Sequence, residues 1–204
     1  MAVLYDKDEC PFCWKIRLAL VEKGVAFAQH RVDTANKPPE LLALNPLGKV
    51  PVLAIDNLVL TESTLVLHYL EDRYPEPALL PTAPAQRHQA RWLNHYADTV
   101  IGPRIREGIF EQRSKPQAQW DRERIGKAQE GWQQCLQELS AQCNGDEFFV
   151  GEFSIAECAL VPRFGLALVY QLGGLDDYPR LSSWFERCRQ RSSYARTAAQ
   201  VCLA

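Results

Sequence analysis

The chain has 204 residues, of which 47% are hydrophobic, so it is long enough for one large domain or two small ones with real cores. Lysine and arginine number 23 and aspartate and glutamate 25, which gives a formal net charge of −2 with the two signs interspersed. This balance argues against nucleic acid or an anionic membrane surface as a partner. No secretory signal pattern opens the chain and no apolar run approaches the ~18 residues of a membrane span, so the sequence predicts an unprocessed protein without a membrane partner.

The first 75 residues alternate between strand and helix patterns. An apolar strand over 2–5 precedes a helical pattern over 11–24, where Gly24 provides a C-terminal stop. Only Asp56-Asn57 separates two later strands, which indicates a tight hairpin. The remaining predicted segments are a strand over 27–32, a short helix over 39–44, the hairpin strands 50–55 and 58–61, and a helix over 62–74. The order β-α-β-α-β-β-α predicts an α/β unit with a mixed sheet.

The composition changes after residue 75, where four prolines fall within ten residues and indicate a linker. Beyond it the periodicity is helical, except that 148–150 favours extended backbone. Helices are predicted near 84–112, 118–142, 154–172, 178–190 and 192–201. The sequence therefore predicts a domain over 1–75, a linker over 76–84 and an all-α domain over 85–204. In the latter, Ser154 and Glu157 match a helix capping box, which we interpret as a folding device.

The sequence Cys10-Pro11-Phe12-Cys13 lies between the first strand and the first helix. Unpaired backbone N–H groups and the positive end of the helix dipole favour a thiolate at Cys10, the form that attacks disulfides and electrophiles. Pro11 suits the first helical position, where a missing N–H costs nothing. Cys13 follows one turn later, so its sulfur can close a disulfide with Cys10.

Two other interpretations of the cysteines stay open. A single cysteine is often a small buried hydrophobe, and one C-x-x-C can be half of a zinc site. The other cysteines, Cys135, Cys143, Cys158, Cys188 and Cys202, form no second C-x-x-C, and no histidine stands at zinc-finger spacing. We therefore expect thiol chemistry and no metal. Seven cysteines, an odd number spread along the chain, fit a reducing compartment and favour the cytoplasm.

Several motifs in this order resemble the cytosolic glutathione transferase family. They are the strand and Cys10-Pro11-Phe12-Cys13 turn, residues 45–53 (NPLGKVPVL), residues 60–63 (LTES), the proline-rich linker and the helical second half. A cysteine at the catalytic turn is most similar to the omega-like, dehydroascorbate-reductase-like thiol transferases, whereas Cys13 departs from the usual omega pattern and is similar to glutaredoxin. The resemblance implies a thioredoxin-like α/β N-terminal domain, an all-α C-terminal domain and glutathione as co-substrate.

The resemblance also implies a glutathione site in the first domain. In the thioredoxin-like fold the bond matching Val50-Pro51 is cis, which turns the backbone of Val50 outward to pair with the cysteinyl part of glutathione. Ser63 would hold the γ-glutamyl carboxylate, and Glu62 would accept from its ammonium. Without the resemblance, Pro51 is an ordinary strand start and the other two an ordinary helix start.

Three more residues and one helix complete the expected site. Lys37 and Lys49 stand where the resemblance implies contacts to the glycyl carboxylate, although either fits a solvated surface lysine. Phe12 is expected beside the bound tripeptide or in the domain core. The first long helix of the second domain would supply an apolar substrate pocket, with Trp92, Tyr96 and Thr99, and also Val100 and Ile109, as candidates. Helical aromatics are also common in cores.

The leading hypothesis is a glutathione-dependent thiol transferase or reductase with Cys10 as nucleophile and Cys13 as a resolving or protective thiol. Its partners would be glutathione and a small electrophilic or disulfide substrate, with a homodimer as the common family assembly. A second hypothesis is conjugation or reductive removal of glutathione on xenobiotic adducts. A third is a non-enzymatic RNA polymerase-binding protein, because the stringent starvation protein A family shares this fold and residues 69–75 (YLEDRYP) are compatible with it.

Overall fold

The computed structural model describes residues 1–145 and 147–198, which divide into two units. The first unit is Met1–Leu80 together with residues 191–198, and the second is Pro81–Gln190. This division differs from the predicted one, because residues 76–80 and the last helix group with the first unit. That helix was predicted over 192–201, and residues 199–201 of the prediction lie outside the described residues.

The first unit contains a four-stranded mixed sheet, as the sequence predicts. The strand order is β2-β1-β3-β4, with β1 and β2 parallel and the other neighbours antiparallel. Its elements are β1 (Ala2–Asp6), α1 (Pro11–Glu22), β2 (Phe27–Arg31), α2 (Pro39–Leu44), β3 (Val52–Ile55), β4 (Leu58–Leu60), α3 (Ser63–Arg73) and, at the far end of the chain, α9 (Ser192–Ala198). The hairpin turn at Asp56 and Asn57 has φ of 51° and 62°, the left-handed conformation that a two-residue hairpin requires.

Helix α1 forms the core of this unit with the sheet. It is buried continuously from Cys13 to Leu20 and contacts both α3 and α9. Trp14 of α1 is fully buried, and its Nε1 donates to Thr197 Oγ1 of α9 at 2.9 Å. Arg191, which precedes α9, donates through Nη2 to Glu22 at 2.7 Å. A helix enclosed on several sides holds its N-terminus in a fixed position.

The register of the sheet brings three chain connections to one edge. Tyr5 near the end of β1 pairs with Val52 at the start of β3, and Leu53 pairs with Leu60 at the end of β4. The connection from β1 to α1, the segment before β3 and the connection from β4 to α3 therefore meet at the same edge.

The second unit is almost entirely helical. Its elements are α4 (Pro84–Tyr96), a π-helical turn (Ala97–Ile101), α5 (Gly102–Ser114), a short 3₁₀ turn (Gln117–Gln119), α6 (Arg122–Ser140), α7 (Ile155–Val169) and α8 (Pro179–Gln190). The helix predicted over 84–112 is thus interrupted, and Pro103 gives a reason because it cannot donate the backbone hydrogen bond of a continuous helix. Phe148 and Val150 form isolated bridges with Gly151 and Glu152.

The predicted capping box at the start of α7 is confirmed. Ser154 Oγ accepts from the N–H of Ala156 at 3.1 Å, and Glu157 accepts from the N–H of Ser154 at 2.9 Å. Nearly the whole of α7 is buried, so it is the central helix of the unit. Within the described residues, every helix is too short or too polar to cross a membrane.

Candidate active site

Cys10 stands at the N-cap of α1, where it has extended backbone angles and only partly buried surface. Its carbonyl accepts the first helical hydrogen bond, from the N–H of Trp14 at 2.9 Å, and Pro11 occupies the first helical position as predicted. The N–H groups of Phe12 and Cys13 point at the Cys10 sulfur. The sulfur therefore lies where a negative charge is stabilised by the end of a helix.

The two thiols of the motif differ in burial and in the direction in which their pKa is shifted. The Cys13 thiol donates a hydrogen bond to the Cys10 sulfur, and this bond, aided by the N–H groups at the helix end, lowers the pKa of Cys10 to about 7. Cys13 is fully buried, and burial holds its pKa well above the usual range. All six cysteines among the described residues are free thiols. At neutral pH the pair thus combines a reactive thiolate with a protonated neighbour.

A buried ion pair beneath these thiols was missed by the sequence analysis. Asp6, the last residue of β1, accepts from Arg17 Nη1 at 2.6 and 2.8 Å, and both side chains are fully buried. Gln29 Nε2 of β2 also donates to Asp6, at 2.8 Å. The available signal was a carboxylate ending an otherwise apolar strand, with an arginine seven residues after Cys10 on the same helical stripe.

The segment before β3 holds the predicted Val50-Pro51 pair. The peptide bond between them is cis, as the resemblance implies; Pro51 is buried and Val50 half-buried. Strand β3 begins at Val52, after the proline. Asn45 shapes the preceding loop, since its side chain accepts from the N–H of Leu47 at 3.2 Å and donates to the carbonyl of Lys49 at 3.0 Å. The side chain of Lys49 is exposed.

Lys37 is brought to the same loop. Its exposed side chain donates through Nζ to the carbonyl of Leu47 at 3.2 Å. The aliphatic part of the Lys37 side chain lies against Gly48, where a Cβ atom would be only 2.5 Å from Lys37 Cδ. Gly48 also has φ of +61°, so glycine satisfies both the turn and the contact. The side chain of Lys37 thus reaches the loop that contains Lys49.

Glu62 and Ser63 lie at the junction of β4 and α3, on the shared edge of the sheet. Glu62 is exposed and occupies the N-cap with φ of 61° and ψ of 100°, an unusual conformation for a residue with a side chain. Ser63, the first residue of α3, is almost buried. Such strain persists where surrounding structure imposes it, often at binding sites.

Phe12 and the residues predicted for the apolar pocket lie in different units of the chain. Phe12 is half-buried, and Lys15 Nζ lies 5.8 Å from the centre of its ring. In the second unit Trp92 stacks on Tyr96 with ring centres 5.0 Å apart, and the buried Tyr96 donates its hydroxyl to Glu138. Thr99 lies exposed in the π-helical turn and donates to the carbonyl of His95, while Val100 is half-buried and Ile109 buried. Their assignment to a substrate pocket stays a prediction.

The arrangement in the first unit suits thiol–disulfide exchange. A sulfur of low pKa lies at a helix end, and the segments around Val50 and Ser63 begin from the same edge of the sheet. Backbone groups and lysines at such an edge can bind an anionic peptide in extended form. The described part of the chain holds no group of three or more histidine, cysteine or acidic side chains able to bind a metal.

Family models match both units. The model for the N-terminal domain of glutathione S-transferase covers residues 4–78, and the model for the C-terminal domain covers residues 104–192. Glutathione S-transferase U28 of Arabidopsis thaliana is 31% identical over 204 residues, covering 96% of this chain and 87% of that protein. A stringent starvation protein A homolog of Coxiella burnetii is 31% identical over 160 residues, covering 78% of this chain and 72% of that protein.

A solved structure agrees with these sequence matches. The rice glutathione S-transferase GST1, crystallised in complex with glutathione, superposes with a TM-score of 0.82 and 29% identity, covering 96% of this chain and 89% of that chain. The mixed sheet with its α1 helix and the helical second unit therefore have a counterpart over almost the full length of both molecules. The chain belongs to the glutathione S-transferase family.

Proposed function

We propose that this protein is a glutathione-dependent thiol transferase in which Cys10 is the nucleophile. The observation that carries the proposal is the position of the Cys10 sulfur at the N-terminus of α1, where its pKa is lowered to about 7. A thiol with a pKa near ambient pH combines a large thiolate fraction with good nucleophilicity. Tyrosine or serine at this position would supply only a hydrogen bond to the glutathione thiol.

The reaction we propose has two exchange steps. The Cys10 thiolate attacks the glutathionyl sulfur of a mixed disulfide, so a bond from Cys10 to glutathione forms and the substrate leaves as a thiolate that takes up a proton. A second glutathione, as thiolate, then attacks the glutathionyl sulfur held on Cys10. Glutathione disulfide leaves and Cys10 returns to its thiolate form. The one free glutathione is thereby oxidised, since its sulfur joins the glutathionyl unit in glutathione disulfide, while the substrate sulfur is reduced to a thiol. Dehydroascorbate is a second candidate substrate.

Glutathione would bind along the shared edge of the sheet. We assign the backbone of Val50 to the cysteinyl part, Ser63 and Glu62 to the γ-glutamyl end, and Lys37 and Lys49 to the glycyl carboxylate. Lys37 Nζ bonds the carbonyl of Leu47 in the loop that carries Lys49, and the strained backbone of Glu62 marks its junction as a constrained site. The glutathione complex of the rice relative supports this choice of co-substrate.

The decisive variant is Cys10→Ser, assayed for reduction of a glutathionylated peptide. Loss of the nucleophile should lower kcat/KM by at least on the order of 10³-fold. Because only the thiolate reacts, the wild-type rate should be half-maximal near pH 7 and fall with decreasing pH below it. Cys188→Ala, which removes a buried thiol of the second unit, serves as control. Retention of most activity by Cys10→Ser would refute the assignment.

A conjugating transferase is the nearest enzymatic alternative. In that reaction Cys10 would donate a hydrogen bond to the glutathione thiolate, or act as a thiol in reductive removal of glutathione. A Cys10 thiolate beside a second thiolate is repelled, which argues against ordinary conjugation. Parallel assays with a chlorinated aromatic and with a glutathionyl disulfide separate the two reactions.

A non-enzymatic binding role is the second candidate, and the relatives named stringent starvation protein A homolog favour it. Under this hypothesis the protein would bind RNA polymerase and the thiols would be dispensable. Retention on immobilised glutathione supports the enzyme. Failure to be retained, together with co-purification of RNA polymerase with the wild-type chain, would support the binding role instead.

We further propose that the protein forms a homodimer through β4, the outermost strand of the sheet. This strand exposes Leu58 and Val59, 47% and 46% accessible, and α3 exposes Leu65 at 62%. Apolar side chains along an edge strand are normally covered by a partner. Val59→Lys with Leu65→Glu should convert a dimer into monomers in sedimentation velocity runs, whereas Leu42→Glu on α2 should not. A wild-type chain that sediments as a monomer would contradict this proposal.

We also propose a cytoplasmic location. The described cysteines are free thiols, and Cys10 and Cys13 need a reducing environment to remain a thiolate–thiol pair. Fractionation of cells producing the protein at native level, with a thiol-trapping reagent added before lysis, would test both the location and the redox state.

A further inference from the structure

We propose that the exposed side of α5, together with the chain that leads into α6, is a docking surface for a short acidic segment of a partner protein. The surface consists of Arg106 and Phe110 on α5 and of Trp120 and Arg122 after it, and we call it the arginine–aromatic face. It lies wholly in the second unit, so it would bind a partner whether or not Cys10 is a nucleophile.

Phe110 lies in the middle of the exposed side of α5. Residues three or four positions apart share one side of a helix, so Arg106 and Arg113 flank this ring along the axis. The other side of α5 is buried, with Ile105 1% and Ile109 6% exposed, whereas Phe110 is 37% exposed. Aromatic rings and arginines are enriched on surfaces that bind other proteins.

Arginines stack on this ring from both directions along the helix. The guanidinium carbon of Arg106 lies 4.9 Å from the centre of the Phe110 ring, and that of Arg113 lies 4.7 Å from it. Stacking uses the flat face of a guanidinium group, so the N–H groups at its edge still point outward. A carboxylate can accept two of these N–H groups at once while an apolar neighbour contacts the ring.

A second stack of the same kind follows α5. The guanidinium carbon of Arg122 lies 5.3 Å from the ring centre of Trp120. The indole Nε1 of Trp120 donates to the carbonyl of Lys115, the residue directly after α5, at 2.9 Å. This hydrogen bond holds the indole ring at the end of α5, so both stacks belong to one continuous surface.

The uncompensated charge of this surface is positive. Residues 102–124 contain six arginines and lysines but four acidic residues, although the whole chain has a net charge of −2. Arg106 and Arg122 stack on rings and, within residues 1–145 and 147–198, form no ion pair with a carboxylate. The acidic side chains are engaged inside the unit: Glu107 with Arg124, Glu111 with Lys115 and Arg124, Asp121 with the first N–H groups of α6, and Glu123 with Lys127.

The length of the surface fits a short extended segment. From Arg106 to Lys115 the distance along the helix axis is about 14 Å, which an extended chain covers in about four residues. A segment with carboxylates on both sides of an apolar residue would meet guanidinium groups at its ends and a ring between them. A nucleic acid would instead need a broad basic surface that follows its phosphates, which a chain of net negative charge does not favour.

The test is fluorescence anisotropy on the full chain with a labelled peptide that has glutamates on both sides of one leucine. A second peptide has lysines in place of the glutamates. At low salt we expect the glutamate peptide to bind at least about tenfold more tightly than the lysine peptide. Its affinity should fall as salt is added, because exposed charges are screened.

Three variants separate the stacked arginines from general charge. Arg106→Gln with Arg122→Gln should weaken binding of the glutamate peptide at least about tenfold. Phe110→Ala keeps every charge and should weaken binding about threefold, because Arg106 loses the ring that holds it. The matched control, Arg189→Gln with Arg196→Gln, removes two exposed arginines on α8 and α9 and should bind as the wild type does.

Equal affinity of the wild type and the variant at Arg106 and Arg122 would overturn the proposal. Equal weakening by the control would also overturn it, because net charge alone would then explain the binding. Tighter binding of a labelled single-stranded RNA through the same arginines would assign the surface to nucleic acid instead. Cys10→Ser, which tests the proposed function, should bind the glutamate peptide like the wild type, so the two proposals can fail separately.

Discussion

Gly48 has a positive φ, and the aliphatic part of Lys37 lies against its Cα. In Gly48→Ala the new methyl group would strain the backbone and displace Lys37 from its contact with the loop. We expect a loss of about 1 kcal/mol in the free energy of unfolding. If Lys37 binds the glycyl carboxylate, KM for glutathione should also rise severalfold, which steady-state kinetics with varied glutathione would measure.

The chain offers a matched control for this substitution. Gly24 has nearly the same backbone angle, φ of +66°, but no atom lies within 4 Å of where its Cβ would be. Gly24→Ala should therefore lower stability by a similar amount and leave KM for glutathione as in the wild type. An equal rise of KM in both variants would show that strain, and not Lys37, is responsible.

At the scale of residues, the sequence predicted what depends on local spacing. Cys10 at a strand–helix junction and Pro11 at the first helical position were recognisable from neighbours along the chain, whereas the cis Val50-Pro51 bond was predicted from the family resemblance. The strained backbone of Glu62 and the Asp6–Arg17 pair were not. The Asp6–Arg17 pair joins two separate elements, and such a contact leaves no periodic pattern in the sequence.

The capping box at the start of α7 gives a prediction at the scale of elements. Ser154 Oγ accepts from the Ala156 N–H and donates to Glu157, all in buried surroundings. Ser154→Ala removes the partner of the buried Ala156 N–H and one of the hydrogen bonds to Glu157, so we expect the free energy of unfolding to fall by about 1–2 kcal/mol in urea titrations.

The N-cap of α6 provides the comparison. Asp121 accepts from the N–H groups of Glu123 and Arg124 but is exposed, so water can replace it. Asp121→Ala should cost less, about 0.5–1 kcal/mol. A larger loss for Asp121 than for Ser154 would contradict the view that burial sets the value of the cap.

Helices and strands were predicted well wherever the hydrophobic periodicity and the capping or turn residues indicated the same bounds. The strands of the hairpin, α1, α2, α7 and α8 begin and end within a few residues of the prediction. The interruption of the first long helix was missed, because the apolar period continues through the π-helical turn and only Pro103 indicates a break. The hydrophobic periodicity indicates which face of a helix is buried. One π-helical turn hardly changes that face, so the periodicity does not reveal it.

The docking of α9 on α1 leads to a prediction for the whole chain. A fragment of residues 1–80 lacks the helix that covers Trp14, its single tryptophan. We expect this fragment to be largely unfolded, with red-shifted tryptophan fluorescence, and to recover a blue-shifted spectrum when residues 191–198 are joined to it through a flexible linker. A folded fragment 1–80 with buried Trp14 would contradict the assignment of α9 to the core of this unit.

The overall architecture could be predicted because two different periodicities divide the chain. The boundaries could not, since they depend on long-range contacts such as Trp14 with Thr197, which are separated by 183 positions. From its order in the chain, the last helix was predicted to belong to the all-α domain. Its contact with the buried Trp14 groups it instead with the first unit, which contains the sheet.

The buried Lys23–Glu71 contact extends the first unit beyond the end of α3. Lys23 Nζ also donates to the carbonyls of Tyr74 and Pro77, and Glu71 accepts from the N–H groups of Leu79 and Leu80. The proline-rich stretch up to Leu80 is thus bonded to the unit on both sides. Its backbone resists entry into a protease, so limited digestion that severs the molecule between its halves should cut after this stretch and spare the bonds within it.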